Sequence, residues 1–287
     1  MRISLCTISL IDHTENLEQV FQLMNRVGIR YADTRASNPQ GHVLRSMTLQ
    51  ERKDVLALAK KYGISICSLA GSVGDKLSSE KEEEREHELS EMKQEIDLAV
   101  DLGASVIRIG TGIPYNPDPA FVYDPVMVER VLPYHKEAAG YAEKKGIKMG
   151  IENHAFSFSA YTDKLADFCC KVGSKNFGVI YEPGNLFGNL KDYRKGFYDQ
   201  KDHIVHVHLK DGYPFRFPGS LEASLYCTVY GLGKLDIPWI IKRLKEIDYK
   251  GFISIEYEAW HHEYNLPEPE KGIAECKIYL ERVLAQA

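Results

Sequence analysis

The chain has 287 residues, a length that suits one large α/β barrel or two smaller domains. Its 36 Lys and Arg residues stand against 41 Asp and Glu residues, so a net charge of −5 gives no general attraction to nucleic acid or anionic membranes. No stretch approaches the roughly 20 apolar residues of a membrane span, and the amino terminus lacks a signal-peptide pattern, which together predict a cytoplasmic protein.

One local pattern recurs along the chain: an amphipathic helix, a glycine and a short β-rich run. A glycine suits the end of a helix because it enters the left-handed region without a Cβ clash. The first helix of this kind carries Leu17, Val20, Phe21, Met24 and Val27 on one face. The predicted helix-ending glycines are Gly28, Gly63, Gly103, Gly146 and Gly173.

Eight runs are typical of buried strands, and most are separated by one helical pattern. Eight such units over this length predict a single (β/α)₈ TIM barrel in one domain, residues 1–287, because no linker or composition break interrupts the chain. A doubly wound open sheet is the second choice, but no G-x-G-x-x-G follows the first strand. The predicted strands are Arg2–Thr7, Arg30–Arg35, Ser65–Ala70, Ser105–Gly110, Lys148–Asn153, Gly178–Glu182, Ile204–Leu209 and Phe252–Glu258.

Three other segments give specific expectations. The charge run Glu80–Glu88 is predicted to be the exposed start of a helix. The stretch Lys210–Lys234 is the longest irregular segment and is expected to be a lid or binding loop. Asp236, followed by Ile237 and Pro238, is predicted to cap the next helix. The six cysteines form no C-x-x-C pair, so we expect free thiols and a reducing compartment.

Four consecutive predicted strands end in groups that can bind a cation. These groups are Glu152, Glu182, His208 and Glu256. The carboxyl ends of barrel strands form one rim, so the four side chains are expected to converge. A lone glutamate at a strand end is more often a salt-bridge or helix-cap partner, but burying three unpaired carboxylates together is very costly. A divalent cation removes that cost, and this mostly oxygen site favours Mn²⁺ or Mg²⁺, with Co²⁺ and Zn²⁺ as alternatives.

Two choices within this set stay open on spacing alone. His206 and His208 alternate to the same face of their strand, so either could point inward. Glu256 and Glu258 pose the same problem. The turn Gly231-Leu232-Gly233 resembles a phosphate-binding loop only weakly, and a simple turn is the better interpretation.

The motifs around these residues resemble a known family. Gly-Ile-Glu152-Asn, Tyr-Glu182-Pro-Gly-Asn-Leu, His206-Val-His208-Leu-Lys-Asp and Phe-Ile-Ser-Ile-Glu256-Tyr-Glu are similar to the xylose isomerase-like TIM barrel superfamily, and within it to the sugar phosphate isomerase/epimerase group. The order and spacing of the motifs carry the resemblance over nearly the whole chain.

The resemblance implies one divalent metal ion, Mn²⁺ first, held by Glu152, the acidic residue of strand six, His208 and Glu256. It also implies that Glu152 and Glu256 are the catalytic acid/base pair of a sugar isomerase or epimerase, which removes a proton next to a carbonyl and forms a metal-stabilised enediolate. Two positions depart from the family pattern. Glu182 stands where Asp is usual, and Asn185 stands where some ketose epimerases have His.

Several other residues are candidates for substrate contact. His154 follows the Glu152 strand, and Lys210 and Arg108 could neutralise an anionic group or the enediolate. Trp260 could stack on a sugar face. Each has a plain alternative as a loop, salt-bridge or packing residue. The full set of predicted substrate-binding residues is His154, Asn185, Lys210, Arg108, Trp260 and Arg216.

Other functions remain to be weighed against the isomerase. The same proton abstraction can eliminate a substituent, so a metal-dependent lyase or dehydratase acting on a keto-glycoside or inosose is the main alternative. A nuclease like the apurinic endonucleases would need further metal ligands that the sequence lacks, and an intact ligand set argues against a non-catalytic sugar-binding protein. The expected partner is a small-molecule carbohydrate, with no nucleic acid and no membrane. A homo-oligomer is a further expectation, for which no interface is indicated.

Overall fold

The computed structural model describes most of the chain, and all statements below concern that part. The described residues are 1–36, 42–71, 73–115, 124–155, 157–216, 223–258 and 266–287. Of the predicted site residues, only Trp260 lies outside these ranges.

Eight parallel strands close into a barrel, as the sequence predicts. The strands are β1 (Arg2–Cys6), β2 (Tyr31–Arg35), β3 (Ser65–Ala70), β4 (Val106–Ile109), β5 (Lys148–Glu152), β6 (Phe177–Tyr181), β7 (Ile204–Leu209) and, after the two-stranded hairpin described below, β10 (Phe252–Ile255). Each pairs in parallel with its neighbours along the chain, and β10 pairs with both β7 and β1 to close the barrel. All eight predicted strands are confirmed, with ends that differ by up to three residues. This arrangement places the carboxyl ends of β5, β6, β7 and β10 side by side.

Nine α-helices lie in the described residues, most of them between barrel strands. They are α1 (Leu17–Val27), α2 (Leu49–Lys61), α3 (Glu82–Leu102), α4 (Pro125–Lys145), α5 (Thr162–Val172), α6 (Pro183–Gly188), α7 (Tyr193–Gln200), α8 (Ile237–Glu246) and α9 (Pro269–Gln286).

The helix ends form for the reasons that the sequence indicates. All five predicted glycines have positive φ values, from 66° at Gly63 to 78° at Gly28. Asp236 caps α8 by accepting a hydrogen bond from the backbone N–H of Trp239 at 3.1 Å. None of the described helices combines the length and apolar character that a bilayer crossing requires.

The prediction of an irregular Lys210–Lys234 segment is wrong over Asp211–Arg216 and Ala223–Thr228. Strands β8 (Asp211–Arg216) and β9 (Ala223–Thr228) form a two-stranded antiparallel hairpin that contacts α6. The signal is visible in β9, where Ala223, Leu225 and Cys227 are buried and the residues between them are more exposed. This period of two is typical of a strand with one packed face.

The prediction that the charge run Glu80–Glu88 is the exposed start of a helix is also only partly correct. Helix α3 begins at Glu82 and its first two residues are exposed, but Glu88 is only 5% exposed. The Glu88 carboxylate accepts hydrogen bonds from the backbone N–H groups of Gly74 and Asp75 at 2.6 and 3.1 Å. One residue of an apparently solvated run therefore fixes the loop that follows β3.

Candidate metal and active site

The four predicted metal ligands lie at one end of the barrel, and all are buried. Glu152 is the last residue of β5, Glu182 directly follows β6, and His208 lies near the end of β7. Glu256 directly follows β10. Their exposed fractions are 6% for Glu152, 0% for Glu182 and His208, and 6% for Glu256. The barrel thus collects three carboxylates and one imidazole in a place with little water to solvate them.

Three of the four side chains form a compact group. Glu152, His208 and Glu256 each offer one ligand atom, and these atoms lie within 4.8 Å of one another. Glu182 follows β6, the strand between β5 and β7, but it is not part of this compact group. The arrangement provides two carboxylate oxygens and one imidazole nitrogen around a common point, a donor set that suits a divalent cation.

Among the described residues, one carboxylate oxygen of Glu182 has a hydrogen-bond partner and the other has none. Its Oε1 accepts a hydrogen bond from the backbone N–H of Gly184 at 2.6 Å and so caps α6. Its Oε2 is buried and has no hydrogen-bond partner among the described residues. Burial raises the pKa of Glu182 well above its usual value, and the charges of Glu256 and Glu152 raise it further against the opposing effect of Lys210. A buried carboxylate oxygen without a partner, beside two more carboxylates, fits a cation.

Glu152 is held between two partners. Its Oε1 lies 2.7 Å from Nδ1 of His208, and its Oε2 lies 3.2 Å from Nη1 of Arg108. Burial by itself would raise the pKa of Glu152, but the positive charge of Arg108 and the His208 imidazole outweigh it, and the pKa falls below the ordinary value. Glu152 therefore stays ionised at neutral pH, as a general base must.

Lys210 is the cationic partner of Glu256, as Arg108 is of Glu152. The Nζ of Lys210 lies 2.9 Å from Oε2 of Glu256 and 2.9 Å from Oε1 of Glu258. The ammonium is almost fully buried, and burial would lower its pKa, yet the carboxylates of Glu256 and Glu258 raise the pKa of Lys210 well above its ordinary value. Glu256 belongs to the compact group with Glu152 and His208, whereas Glu258 serves as the second carboxylate of Lys210.

Asp33 on β2 is a site residue that the sequence analysis missed. Its Oδ2 accepts hydrogen bonds from Nε2 of His206, Nε2 of His208 and Oγ of Ser254, at 2.9, 2.8 and 2.9 Å. Burial would raise the pKa of Asp33, but the two histidines lower it well below its usual value. The signal is an acidic residue in the middle of the predicted strand Arg30–Arg35, where a side chain must face either the barrel axis or the helices.

His206 also points into the barrel, as a residue two positions before His208 on the same strand should. Its Nε2 contacts Asp33 and Ser254, and burial lowers the pKa of His206 below its usual value. His208, one layer nearer the carboxyl ends, contacts Glu152. His208 therefore belongs to the compact group with Glu152 and Glu256, and His206 lies beneath it.

Cys6, Asp33 and His208 form a second compact group, which shares His208 with the first. Burial raises the pKa of the Cys6 thiol well above its usual value, and the Asp33 charge raises it further. The thiolate is the form that binds metals, so this group fits a cation less well than the Glu152 group. All six cysteines are free, in agreement with the sequence analysis.

The remaining predicted contact residues are not equally placed. His154 is half-buried, with its ring edge-on to Tyr115 at 5.1 Å between centroids. Asn185 donates a hydrogen bond from Nδ2 to the carbonyl oxygen of Asn153 at 2.9 Å. Arg216 is exposed at the end of the β8 strand, and Trp260 lies outside the described residues.

Two curated relatives align with this chain at 25% and 27% identity. An uncharacterised protein of Methanocaldococcus jannaschii is 25% identical over 236 residues, which cover 80% of this chain and 75% of that protein. An inosose dehydratase of Lactiplantibacillus plantarum is 27% identical over 127 residues, which cover 41% of this chain and 42% of the dehydratase.

Solved structures share the fold over the whole chain. D-psicose 3-epimerase of Clostridium cellulolyticum, solved with D-tagatose, has a TM-score of 0.77 at 16% identity and 99% coverage of both chains. A xylose isomerase-like TIM barrel protein of Mycobacterium smegmatis, solved in complex with magnesium, has a TM-score of 0.76 at 17% identity, with 99% of this chain and 97% of that chain covered. Likeness at these identities establishes the fold alone.

The family model covers more of this chain than either curated relative does. The family model described as xylose isomerase-like TIM barrel matches residues 21–280, a range that begins in α1 and ends in α9. That range includes all four predicted metal ligands and Asp33. Together with the closed eight-stranded barrel, this match establishes that the chain belongs to the xylose isomerase-like TIM barrel family.

Proposed function

We propose that the protein is a divalent-metal-dependent sugar isomerase or epimerase that removes and returns a proton on a carbon next to a carbonyl. One observation carries the proposal. Glu152 and Glu256, from β5 and the end of β10, are buried in one compact group with His208, and each has its own cationic neighbour. Family membership and the epimerase fold neighbours support the same class of reaction.

The two carboxylates are the proposed proton carriers. Arg108, on the strand beside Glu152, and Lys210, at the end of the strand beside Glu256, hold these carboxylates in place by ion pairs of 3.2 and 2.9 Å. Glu152 has its pKa lowered and is available as a base. Two carboxylates on different strands can approach a bound substrate from different sides, which is what an exchange of a proton at one carbon requires.

The metal-binding residues are proposed to be Glu152, Glu182, His208 and Glu256. A divalent cation held there would polarise the substrate carbonyl and stabilise the negative charge that develops on its oxygen. The oxygen-rich donor set favours Mn²⁺ or Mg²⁺. His208 offers Nδ1 to the group, and Asp33 holds the opposite ring nitrogen.

A lyase is the second candidate, and one observation favours it. The inosose dehydratase of Lactiplantibacillus plantarum matches part of the chain at 27% identity. Elimination begins with the same proton abstraction, so it needs the same two carboxylates. The two functions differ only in whether a substituent leaves the carbon next to the one that loses its proton.

Exchange of a substrate hydrogen with solvent tests the proposal. We expect the metal-loaded protein to exchange the α-hydrogen of a keto sugar, a 3-keto glycoside or an inosose in deuterated water, as seen by proton NMR. Glu152→Gln should abolish the exchange, because an amide cannot act as the base. Glu281→Gln on the outer helix α9, where the side chain is 52% exposed, is the matched control and should keep it. Exchange that survives in Glu152→Gln would disprove the assignment.

The products and the metal content separate the alternatives. An isomerase or epimerase yields only isomers, whereas a lyase yields water or another leaving group together with an unsaturated product. The four-ligand site predicts about one divalent ion per chain. Three ions per chain would instead favour a nuclease of the apurinic endonuclease kind.

A further inference from the structure

A cavity of about 690 Å³ lies at the amino ends of the barrel strands, the end opposite to the candidate metal site. Lys148 begins β5 and Glu152 ends it, so the Cα atoms of these two residues are about 13 Å apart along the strand. The cavity is therefore separate from the candidate active site. It is lined by the first residues of five barrel strands, which are Arg2, Val106, Lys148, Ile204 and Phe252.

The wall of this cavity carries an excess of positive charge, although the chain as a whole has a net charge of −5. Four cations and two carboxylates line it, which leaves a local charge of +2. A concave surface with one sign of charge in excess attracts ligands of the opposite sign. The charged groups of the wall are Arg2, Lys148, Lys201, Lys250, Asp202 and Asp248.

Two of the four cations are free to bind a ligand. Arg2 and Lys148 form no ion pair with a carboxylate of the described residues. In this respect they differ from the buried cations at the other end of the barrel, which the protein itself neutralises. The other two cations of the wall are paired, Lys201 with Asp202 at 3.3 Å and Lys250 with Asp248.

Arg2 and Lys148 reach the cavity from opposite sides, because three strands separate β1 from β5 in either direction round the barrel. Side chains alternate along a strand, and Ser4 and Glu152 contact other side chains inside the barrel. Arg2, two residues before Ser4, and Lys148, four residues before Glu152, therefore face the barrel axis as well. The Arg2 guanidinium lies 3.8 Å from the centroid of the Phe252 ring, which holds its plane in place and leaves its N–H edges free.

A phosphate monoester matches this cavity better than an anion with a single charge does. It carries a charge of about −1.5 to −2 at pH 7, which balances the local charge of +2, and its oxygens can accept hydrogen bonds from two cations at once. A carboxylate or a sulfate ester carries only one charge. The volume is typical of small-molecule sites, and Val106, Val205 and Ile247 provide apolar wall for the organic part of the ligand.

The turn that most resembles a phosphate-binding loop is already satisfied by the protein itself. The Asp211 carboxylate accepts hydrogen bonds from the backbone N–H groups of Gly231 and Gly233 at 2.9 and 3.1 Å. It also accepts from Gly212 and Leu235 at 2.8 and 3.1 Å. These N–H groups hold an internal anion and are not available for a phosphate.

We propose that the cavity at the amino ends of the strands is a second small-molecule site, which binds an organic phosphate monoester between Arg2 and Lys148. The site needs no metal ion. It is independent of the proposed function, which concerns residues at the carboxyl ends of the strands.

Calorimetric titration of the Mn²⁺-loaded full chain with phenyl phosphate and with phenyl sulfate tests the inference. The two probes share the same ring and differ mainly in charge, which is near −2 for the phosphate and −1 for the sulfate. We expect phenyl phosphate to bind about tenfold or more tightly than phenyl sulfate. Its affinity should be the same in excess chelator, because the proposed site holds no metal.

Substitutions in the cavity wall test the assignment further. Lys148→Gln should weaken phenyl phosphate about tenfold, whereas Lys148→Arg keeps the charge and should stay within about threefold of wild type. Lys148 is exposed, so these changes leave the core intact, and Lys53→Gln, an exposed lysine on α2, is the control.

Asp202→Asn should have the opposite effect. It removes a negative charge from the wall and frees Lys201, so phenyl phosphate should bind more tightly than to wild type. Asp54→Asn, an exposed carboxylate on α2, is the matched control and should leave the affinity unchanged.

The inference is overturned if phenyl phosphate does not bind, if phenyl sulfate binds as tightly, or if Lys148→Gln leaves the affinity unchanged. Binding that disappears in chelator would assign the probe to the metal and would overturn it too. The proposed function is judged separately, by hydrogen exchange in Glu152→Gln at the other end of the barrel.

Discussion

Nε2 of His208 lies 2.8 Å from Oδ2 of Asp33, while Nδ1 on the opposite edge of the same ring lies 2.7 Å from Oε1 of Glu152. Both ring nitrogens therefore donate to carboxylates, and although burial would lower the pKa of His208, Glu152 and Asp33 raise it well above its usual value. A cation bound at Nδ1 would take the place of that proton, while Asp33 keeps the hydrogen bond from Nε2–H. Protein metal sites commonly use a carboxylate in this way to fix the tautomer and orientation of a histidine ligand. Asp33 also accepts from His206 and Ser254, so it is itself held in place.

Replacing Asp33 tests whether this contact matters for the metal. We expect Asp33→Asn to weaken Mn²⁺ binding about 10- to 100-fold, the usual cost of losing the partner of a histidine ligand. The measurement is the Mn²⁺ dissociation constant from competition with a chelator at fixed pH, with Asp54→Asn as the control. An unchanged constant would mean that His208 is oriented without Asp33.

Glu182 allows the roles of helix cap and metal ligand to be separated. In Glu182→Gln the amide oxygen can still accept the Gly184 N–H hydrogen bond, so the stability of the metal-free protein should stay within about 1 kcal/mol of wild type. Mn²⁺ affinity should fall by about tenfold or more, because a charged oxygen is lost from the site. Glu182→Ala should lose both properties. Wild-type Mn²⁺ affinity in Glu182→Gln would show that Glu182 only caps α6.

The sequence predicts the barrel well because its evidence is local and repeated. Each unit carries a buried strand, an amphipathic helix and a glycine such as Gly146 or Gly173 that must adopt positive φ. The closure of the sheet into a barrel also follows from the number of strands, since eight parallel strands of this kind form a barrel. The hairpin was missed because only β9 alternates clearly, and Pro214 within β8 argues against a strand.

The site was predicted less completely than the fold, for a physical reason. Glu152, His208 and Glu256 follow apolar runs at strand ends, so their position on the rim can be inferred from the chain order. Asp33 lies in the middle of its strand and lacks this strand-end signal. Asp33 contacts side chains on β7 and β10, more than 170 residues away in sequence, so its role depends on the closed barrel.

His42 predicts a measurable effect of pH on stability. Thr7 Oγ1 accepts a hydrogen bond from the backbone N–H of Arg35 and lies 2.9 Å from Nδ1 of His42. Burial, with a smaller effect of the Arg35 charge, lowers the pKa of His42 from 6.5 to about 4. Between pH 6.5 and 4 the unfolded chain therefore binds more protons at this residue than the folded chain does. This contribution to stability is complete above pH 6.5 and is lost as the pH falls toward 4, by at most about 3 kcal/mol.

Urea unfolding of the metal-free protein at pH 7 and pH 4.5 checks this expectation. His42→Asn keeps an acceptor for Thr7 but cannot gain the proton, so its stability should fall less between the two pH values than that of wild type. His87→Asn on α3, where the side chain is 72% exposed, should lose as much as wild type. The other buried histidines are present in all three proteins, so their contributions cancel in the comparison. Equal losses in wild type and His42→Asn would contradict the assignment.

The ion pairs of Lys210 with Glu256 and Glu258 lead us to expect that Lys210 and the metal ion together neutralise the carboxylates of the site. Lys210→Met leaves Glu256 and Glu258 without their buried cation, and losing one partner of a buried ion pair typically costs about 3–5 kcal/mol. We expect a loss of that size in the presence of a chelator, measured by urea unfolding. Lys195→Met removes a lysine that is 61% exposed and paired with Asp199, so it should cost less than about 1 kcal/mol.

Adding Mn²⁺ should stabilise Lys210→Met by more than it stabilises wild type, because the cation then replaces the positive charge that Lys210 supplied next to Glu256. The double variant Lys210→Met, Glu258→Gln should recover part of the lost stability in chelator, since it removes one of the two carboxylates that Lys210 neutralised. If Lys210→Met is no less stable than Lys195→Met in chelator, Lys210 does not neutralise these groups. If instead the loss is large but the Mn²⁺ response is unchanged, Glu256 is paired with Lys210 and does not bind the metal.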